Sequence, residues 1–425
     1  MSKKSLFTLL FISALAEITY GQAAKSPFTS FGVGEPYNTA MTNSQGMGGV
    51  GIGTPQVVYL NFQNPALLVY NSITSISAGF LGEQRTTKNN KISEKNSNGN
   101  LSYLSMAFPI IKHPKKAYTN RWSSSLVLMP YTVVNYKLNY NVSLEGTSGT
   151  VNITETGNGG INQVVWSNGV TINKYLSVGV KSRYLFGAKI EQFTNYLSQA
   201  PVYQPNLYQR ERYSDINFTG GLSLHKDSIS SKNYRFNLGL TYDFQTNVKT
   251  TYYSRLERLS ANNIVDSVTI VNDKVGNTVL PPSIGGGISW GRRGWTIGAD
   301  AIYTDYTQFK NYFGSNKDTQ ATMHYAVGAE VTPFTNVATN YFGKMTYRIG
   351  ASYDDFPFLI NGNPAKDVGI NLGIALPVAG WSSIDVAVKF GKRGDISTNG
   401  ITEDYFKIYF GATFNDRWFQ KRKFD

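Results

Sequence analysis

Residues 234–245, YRFNLGLTYDFQ, alternate apolar and polar side chains without a break. Every even-numbered residue of this stretch is aromatic or Leu, and every odd-numbered residue is polar or Gly. A period of two is that of a β-strand with one apolar and one polar face. The same pattern recurs in 176–186, 368–376, 384–390 and 406–414. The sequence therefore predicts an all-β protein whose strands have two unlike faces.

Two kinds of protein use such strands, the soluble β-sandwich and the membrane-spanning β-barrel. Here the apolar faces persist for about nine residues or more, the length that a tilted strand needs to cross a bilayer. Aromatic residues stand at predicted strand ends, as an interfacial girdle requires. These residues are Tyr234, Trp295, Trp381 and Tyr405. Short and long connections also alternate, which a sandwich does not require. These features favour a transmembrane antiparallel β-barrel.

The alternation defines about fourteen strands, an even number that leaves both chain ends on one side of the membrane. The predicted strands are 72–82, 101–110, 122–136, 160–172, 175–191, 210–225, 233–247, 281–290, 295–307, 320–333, 342–354, 367–377, 381–392 and 404–414. Tight connections fall on one side, at 173–174, 291–294 and 378–380. Long polar connections fall on the other side, at 83–100, 137–159, 192–209, 248–280, 308–319, 355–366 and 393–403.

Outer-membrane barrels have short periplasmic turns and long external loops. We therefore predict a barrel domain at 72–414, in a bacterial outer membrane. Both mature termini are expected on the periplasmic side or inside the barrel. The last residues, 415–425, are predicted to form a periplasmic C-terminal tail.

The composition agrees with this class and excludes others. The chain of 425 residues contains 6 Trp, 28 Tyr and 24 Phe with only 16% charged residues, whereas disordered chains are poor in aromatics and rich in charge. It has no cysteine, which excludes a disulfide framework and Cys-ligated metals. Lys3 and Lys4 precede an apolar run from Leu6 to Ala16. Residues 1–21 are therefore predicted to be a secretory signal peptide.

Segment 22–71 lies between the signal peptide and the first predicted strand. It is rich in Gly, Asn, Thr and Pro, and its side chains do not alternate cleanly. A wide barrel leaves a lumen that could hold a folded segment of this size. We predict an N-terminal hatch or plug at 22–71, with a periplasmic tail as the alternative.

Short motifs stand at both ends of the mature chain. Gly46, Gly48, Gly49 and Gly51 form a glycine-rich run, which is followed by Asn64, Pro65 and Ala66. Together with the barrel that follows, these motifs resemble the FadL family of outer-membrane proteins. Members carry a glycine-rich hatch that ends in an Asn-Pro-Ala type motif before the barrel. The stretches 26–32, SPFTSFG, and 414–419, FNDRWF, resemble a Bacteroidota branch of that family.

The resemblance implies passive uptake of small hydrophobic compounds through a pocket beside the hatch. The ligand-binding residues that it suggests are Phe28, Phe31, Met47, Phe62 and Leu67. Compounds would leave sideways, through a kinked strand near the start of the barrel. Proline removes a hydrogen bond from a sheet, so Pro130 is the predicted kink, with a harmless interface proline as the alternative. Tyrosines in 192–209 and 248–280 would line an external groove.

The predicted lumen face departs from this picture because it carries charges. They are Lys181, Arg183, Arg235, Asp243, Asp300, Asp385 and Lys389. Such a lining suits water, ions, or salt bridges that hold a hatch. Some relatives of the fold are plugged accessory subunits, a role that needs no ligand path. The alternative function is therefore a non-transporting barrel that acts as an accessory subunit of an outer-membrane secretion or assembly complex. The expected partners are outer-membrane lipid and either a hydrophobic small molecule or an envelope protein complex.

No motif indicates an enzyme. Gly46-x-Gly48-x-x-Gly51 matches a dinucleotide fingerprint, but the strand and helix that this motif requires are not predicted. Residues 287–291, GISWG, match a nucleophile elbow but lie on a predicted strand. The three histidines lack metal-ligand spacing. We expect no catalysis, no cofactor and no metal.

The basic residues do not indicate nucleic acid. They are scattered, with small clusters at 112–116, 292–293 and 420–423. These clusters fall on the predicted periplasmic side, where cations next to membrane headgroups are expected. The cluster at 420–423 could also dock a periplasmic partner.

Overall fold

The structure is a computed structural model that describes residues 23–112, 119–143, 150–197, 203–229, 233–260, 263–314, 318–333, 340–378, 380 and 382–416. The predicted signal peptide, Trp381, and residues 417–425 of the predicted tail lie outside the described residues.

The described part of the chain contains eighteen strands. They are β1 (Glu35–Pro36), β2 (Thr74–Lys88), β3 (Ser93–Lys112), β4 (Asn120–Pro130), β5 (Thr132–Ser143), β6 (Thr150–Thr171), β7 (Leu176–Leu197), β8 (Gln204–Ile229), β9 (Tyr234–Asp243), β10 (Thr246–Ser260), β11 (Asn263–Leu280), β12 (Ser283–Arg292), β13 (Trp295–Thr304), β14 (Thr322–Val331), β15 (Thr346–Asp355), β16 (Lys366–Pro377), β17 (Ser383–Arg393) and β18 (Thr402–Asp416).

Strands β2 to β18 form a closed antiparallel barrel. Each pairs with its neighbours, and β18 pairs with β2 from Thr402↔Lys88 to Asp416↔Thr74, which closes the ring. Three wall strands are interrupted, so β4 with β5, β9 with β10, and β11 with β12 each act as one. Among the described residues this gives fourteen wall strands. The predicted fourteen-stranded β-barrel is confirmed.

The two faces of the wall have opposite character. In β16, Val368, Ile370 and Leu372 are 52%, 59% and 46% exposed, whereas Asp367 and Asn371 are buried. A soluble protein would bury the aliphatic residues and expose the polar ones. The inverted arrangement fits a wall whose outer face contacts lipid and whose inner face is polar.

Several strands continue much further than predicted. The predicted connections 83–100, 137–159, 192–209 and 248–280 are largely strand, in the hairpins β2–β3, β5–β6, β7–β8 and β10–β11. Most of β11 is exposed on both faces, so its side chains carry no apolar alternation. Hydrogen bonding to β10 holds it as a strand nonetheless. Periodicity predicted only the parts of the strands that face lipid.

The helices are short. They are Pro27–Ser30, Thr42–Gln45, Pro65–Tyr70, Tyr306–Gln308, Phe342–Lys344 and Ile396–Asn399. Of the helices in the described ranges, none is long and apolar enough to cross a membrane.

The N-terminal segment before β2 is mostly buried and packs against the polar face of the wall. A Cβ at Gly221 of β8 would lie 2.7 Å from Pro65 Cδ, and one at Gly350 of β15 would lie 2.5 Å from Met47 O. Because β8 and β15 are well separated around the ring, the segment reaches across between them. Wall glycines permit this close approach of two backbones.

Candidate functional site

The Asn-Pro-Ala motif forms a capped helix start at the wall. The Asn64 side chain accepts a hydrogen bond from Ala66 N at 3.0 Å, and Pro65 occupies the first helical turn. The side-chain amide group of Asn64 donates to Ile52 O at 2.9 Å and to Leu222 O of β8 at 3.0 Å. Asn caps helices well, and Pro suits the first turn because no donor is needed there. One side chain therefore joins the helix, the glycine-rich run and the wall.

The glycine-rich run is fitted against the opposite part of the wall. Gly48 has a φ of +77°, and a Cβ there would lie 2.6 Å from Ala351 O. Asp300 of β13 accepts hydrogen bonds from Gly51 N at 2.7 Å and Ile52 N at 2.8 Å. A buried carboxylate held by two backbone donors is a strong, directional anchor. Gly46 lies beside Gly373 of β16, and Gly49 also has a positive φ, of +95°.

A cluster of buried charges links the N-terminal segment to four wall strands. Glu35 of β1 forms ion pairs with Arg85 of β2 at 3.0 Å and with Arg393 of β17 at 2.8 Å. Arg85 also pairs with Glu83 at 3.0 Å and with Glu403 of β18 at 3.1 Å. Arg393 completes its contacts with Asp367 of β16 at 2.7 Å. We call these six residues the charge cluster.

The electrostatics of Glu35 favour its ionised form. Burial raises the pKa of its carboxyl group, but attraction to Arg393, then to Arg85, outweighs burial and holds the pKa well below its ordinary value of 4.5. At neutral pH Glu35 is therefore an anion between two guanidinium groups.

Sequence reasoning missed the charge cluster. Glu83 and Arg85 fall in the predicted connection 83–100, and Arg393 and Glu403 fall in 393–403. Both pairs lie on wall strands in the structure. The signal was present, since the buried side of β2 continues from Leu81 to Glu83 and Arg85 at a spacing of two.

A cavity of about 290 Å³ adjoins the charge cluster. Its polar lining includes Glu35, Arg85 and Arg393 together with Lys389 and Lys407. Its apolar lining includes Leu81, Val133, Ile302 and Phe356. Lys389 and Lys407 both lie near the Tyr405 ring, with their ammonium nitrogens 5.6 and 5.0 Å from its centroid. The cavity is lined by cations and anions in close alternation, and a hydrophobic ligand would have to desolvate them.

The strand pairing of the wall is interrupted next to this cavity, between β3 and β5. β3 pairs with β4 only between Leu104 and Lys112, and within the described residues β5 has no pairing with β3. β1 covers part of the exposed edge of β5 through Glu35↔Val133 and Pro36↔Thr132. Tyr37 N also donates to Tyr131 O at 2.9 Å.

Pro130, the predicted kink, is the last residue of β4, directly before the interruption between β4 and β5. It stays paired with Asn162 of β6, while Tyr131 N donates to Ile161 O. Its role in any exit path stays a prediction.

The five predicted ligand-binding residues do not meet in one pocket. Phe28 and Phe31 pack with Phe356, at ring-centroid distances of 5.3 and 5.7 Å. The others belong to three further clusters: Met47 with Val50 and Ala326, Phe62 with Leu60 and Leu68, and Leu67 with Val69 and Tyr70. None of the five lines the cavity beside the charge cluster. Ligand binding by these residues stays a prediction.

The charges predicted on the lumen face are placed on the polar side of the wall. Lys181, Arg183, Asp300, Asp385 and Lys389 are all buried. Several contact the N-terminal segment, as Lys181 Nζ does by donating to Gln63 O at 2.8 Å. Arg235 and Asp243 are half-buried and form ion pairs with Asp227 and Arg183, respectively.

The discarded catalytic motifs have structural roles. Ser289 of the GISWG stretch lies on β12, and its hydroxyl donates to Gly53 O at 2.7 Å. His225 packs edge-on against the Tyr70 ring, and His324 pairs with Asp354. His113 lies outside the described residues. The part of the chain that the structure describes has no group of three or more residues suited to hold a metal ion.

The closed wall with lipid-facing aliphatic residues and a packed N-terminal segment defines an outer-membrane β-barrel. Solved structures share this fold. The Pseudomonas putida toluene transporter TodX has a TM-score of 0.56 at 12% identity, covering 88% of this chain and 98% of that one. The CymD monoaromatic hydrocarbon channel has a TM-score of 0.55 at 14% identity, covering 89% of this chain and 97% of that one. A Pseudomonas aeruginosa FadL homologue has a TM-score of 0.54 at 11% identity, covering 88% of this chain and 98% of that one.

Residues 1–425 match the family model BamG. The chain therefore belongs to the BamG family. A comparison with curated proteins found no match. The resemblance of this chain to a Bacteroidota branch stays a prediction.

Proposed function

We propose that this protein is a plugged, non-transporting outer-membrane barrel that serves as an accessory subunit of an envelope assembly complex. The observation that carries the proposal is the charge cluster, in which Glu35 of the N-terminal segment is held between Arg85 and Arg393 of the wall. Removing one partner of a buried ion pair is costly, so the segment is strongly attached there.

Further polar contacts support a fixed plug, because they attach the segment at separate points of the ring. Ala24 N donates to Glu83 of β2 at 2.7 Å, and Gln45 O accepts from Asn371 of β16 at 2.8 Å. Val58 O accepts from Asn415 of β18 at 3.0 Å. With Asn64 and Asp300, these contacts leave the segment little freedom to move aside for a ligand.

The family designation BamG also points to an accessory role. Likeness to hydrocarbon channels at 11–14% identity supports the fold alone. The mixed charges beside the cavity oppose a path for apolar compounds.

The test is to purify the tagged protein from native outer membranes in mild detergent and to reconstitute it in liposomes. We expect a stoichiometric protein partner, and no saturable uptake of toluene. A solitary barrel that takes up toluene would overturn the proposal.

The second candidate is the predicted channel for hydrophobic compounds, and the opening between β3 and β5 favours it. The chain contains no cysteine, so Pro36→Cys with Thr132→Cys would allow one disulfide across the β1–β5 pairing. If compounds leave by this opening, oxidation should abolish uptake and reduction should restore it. Unchanged uptake in both states would contradict this route.

We further propose that the tight turns face the periplasm, so that both mature termini lie on the periplasmic side or inside the barrel. The tight turns at 172–175 and 293–294 share one rim of the barrel with Thr74 and Asp416, which fits short periplasmic turns. In whole cells an impermeant maleimide should label Asn90→Cys in the β2–β3 hairpin but not Lys174→Cys. The reverse result would invert the orientation.

A further inference from the structure

A second cavity lies on the outer surface of the wall, at the rim with the tight turns. Its volume is about 490 Å³, and it is formed where the end of β3, the start of β4 and the end of β6 meet. Its apolar lining consists of Ile111, Trp122, Val170 and Ile172, all of which are exposed. We call this cavity the rim pocket.

The apolar residues sit where a membrane meets water. Ile111 pairs with Trp122, and Trp122 pairs with Val170, so the three side chains stand in one row across adjacent strands. Trp122 Nε1 donates to Asn168 Oδ1 at 3.1 Å, which fixes the indole ring. A row of exposed apolar side chains anchored by a Trp is typical of the level at which acyl chains join their headgroups.

Two cations stand at the mouth of the rim pocket. Arg121 and Lys174 are both exposed and line it, and among the described residues no carboxylate lines it. Within the described residues neither cation has an ion pair, although Lys174 Nζ lies 4.8 Å from the centroid of the Tyr175 ring. An arginine and a lysine above an apolar surface complement a phosphate that carries acyl chains.

A third observation is a hydroxyl group without a partner. Thr119 is only 3% exposed and lines the rim pocket. Its Oγ1 has no hydrogen-bond partner among the described residues. Buried hydroxyls are normally hydrogen-bonded, so an unpaired one beside a cavity indicates a missing polar ligand.

We propose that the rim pocket binds one phospholipid of the periplasmic leaflet. The phosphate lies between Arg121 and Lys174, an acyl chain covers Ile111, Val170 and Ile172, and the Thr119 hydroxyl donates to a lipid oxygen. The choice of leaflet rests on the orientation proposed above, whereas the pocket and its chemistry do not.

The test is native mass spectrometry of the delipidated full-length protein, titrated in detergent with dimyristoyl phosphatidylglycerol. We expect one lipid to bind ahead of weaker, non-specific ones. Arg121→Ala and Lys174→Ala should each weaken this binding about 5-fold, from about 1 kcal/mol per cation near a charged surface. Thr119→Val should weaken it without changing the heat-modifiable mobility that reports a folded barrel.

Arg292→Ala is the matched control, because Arg292 is an exposed cation in another tight turn of the same rim, stacked over Tyr234 outside the pocket. It should leave lipid binding unchanged. Equal loss in Arg292→Ala, or no loss in Arg121→Ala and Lys174→Ala, would overturn the proposal. Competition by inorganic phosphate as effective as that by lipid would make the pocket a free-anion site and overturn it too. Tighter binding of lipopolysaccharide would refute the leaflet assignment alone, which separates failure of the orientation from failure of the site.

Discussion

Glu35→Gln should loosen the N-terminal segment from the wall. The change removes the negative charge that accepts hydrogen bonds from Arg85 Nη1 at 3.0 Å and from Arg393 Nη2 at 2.8 Å, and it leaves one acceptor oxygen for the two donors. Such bonds contribute about 1.5–3 kcal/mol each. Both arginines keep other carboxylates in the charge cluster, so we take the lower end, about 3 kcal/mol for the two.

The assay is hydrogen–deuterium exchange of a peptide that spans 23–41. Its protected amides include Ser26 N and Tyr37 N, which donate to Asn135 O and Tyr131 O. Each 1.4 kcal/mol corresponds to a factor of ten, so opening that exposes these amides should become about 100-fold more frequent. Far-ultraviolet circular dichroism should stay unchanged, because the wall does not depend on β1.

Asp404→Asn is the matched control, on β18, a wall strand that also carries a member of the charge cluster. Asp404 forms an ion pair with Lys88 at 2.7 Å, but the two side chains are 45% and 42% exposed. Exposed pairs contribute about 0.2–1 kcal/mol, so exchange in 23–41 should not change. The reasoning is refuted if Glu35→Gln exchanges within about threefold of wild type, or if Asp404→Asn matches it.

Three further predictions follow from the site and the wall. The pKa of Glu35 lies below its ordinary value of 4.5, so its stabilisation is complete above that value and is lost as the pH falls through the lowered pKa. Wild-type protection factors in 23–41 should therefore fall toward those of Glu35→Gln under acid. Between pH 6 and 8 the difference in protection between wild type and Glu35→Gln should not narrow. Asn64→Ala should destabilise the Asn-Pro-Ala helix by about 2–4 kcal/mol, because it loses a cap and two buried hydrogen bonds. Asn64→Asp keeps only the cap and should recover about 1 kcal/mol of this, measured by hydrogen–deuterium exchange of 60–72. Equal exchange in the two variants would contradict the assigned contacts. Ile349→Arg should lower the free energy of folding into bilayers by about 2–4 kcal/mol, because Ile349 is 56% exposed on the lipid-facing side of β15. Val268→Arg should cost almost nothing, although Val268 of β11 is 69% exposed. Equal costs would mean that the lipid-facing band is misplaced.

Much of the barrel could be predicted from local pattern. The lipid-facing residues of β9 and β16 alternate because each strand meets lipid on one side and a polar interior on the other, and this contrast is written into every second residue. The number of wall strands followed from counting such stretches. The Asn-Pro-Ala helix start could also be suspected locally, since Asn64 and Pro65 have their capping preferences in any context.

The ends of the strands could not be predicted in this way. Beyond the membrane, β11 meets water on both faces over most of its length, so no alternation is selected there and its hydrogen bonds to β10 define it. The placement of the predicted ligand-binding residues in separate clusters also could not be predicted locally. Phe28, Met47, Phe62 and Leu67 are apolar residues of one segment, but that segment crosses the barrel and each one lies in a different apolar cluster.

The class of wall, its strand number and the residues that face lipid follow from local pattern, because they depend on neighbours two positions apart. The charge cluster forms only in the folded chain. Glu35, Arg85, Arg393 and Glu403 are separated by up to 368 positions, and they meet because the ring closes between β2 and β18 and the N-terminal segment lies against that seam. Charges so far apart in the chain carry no local signal of their pairing, since their attraction depends on distance and burial in the folded state alone.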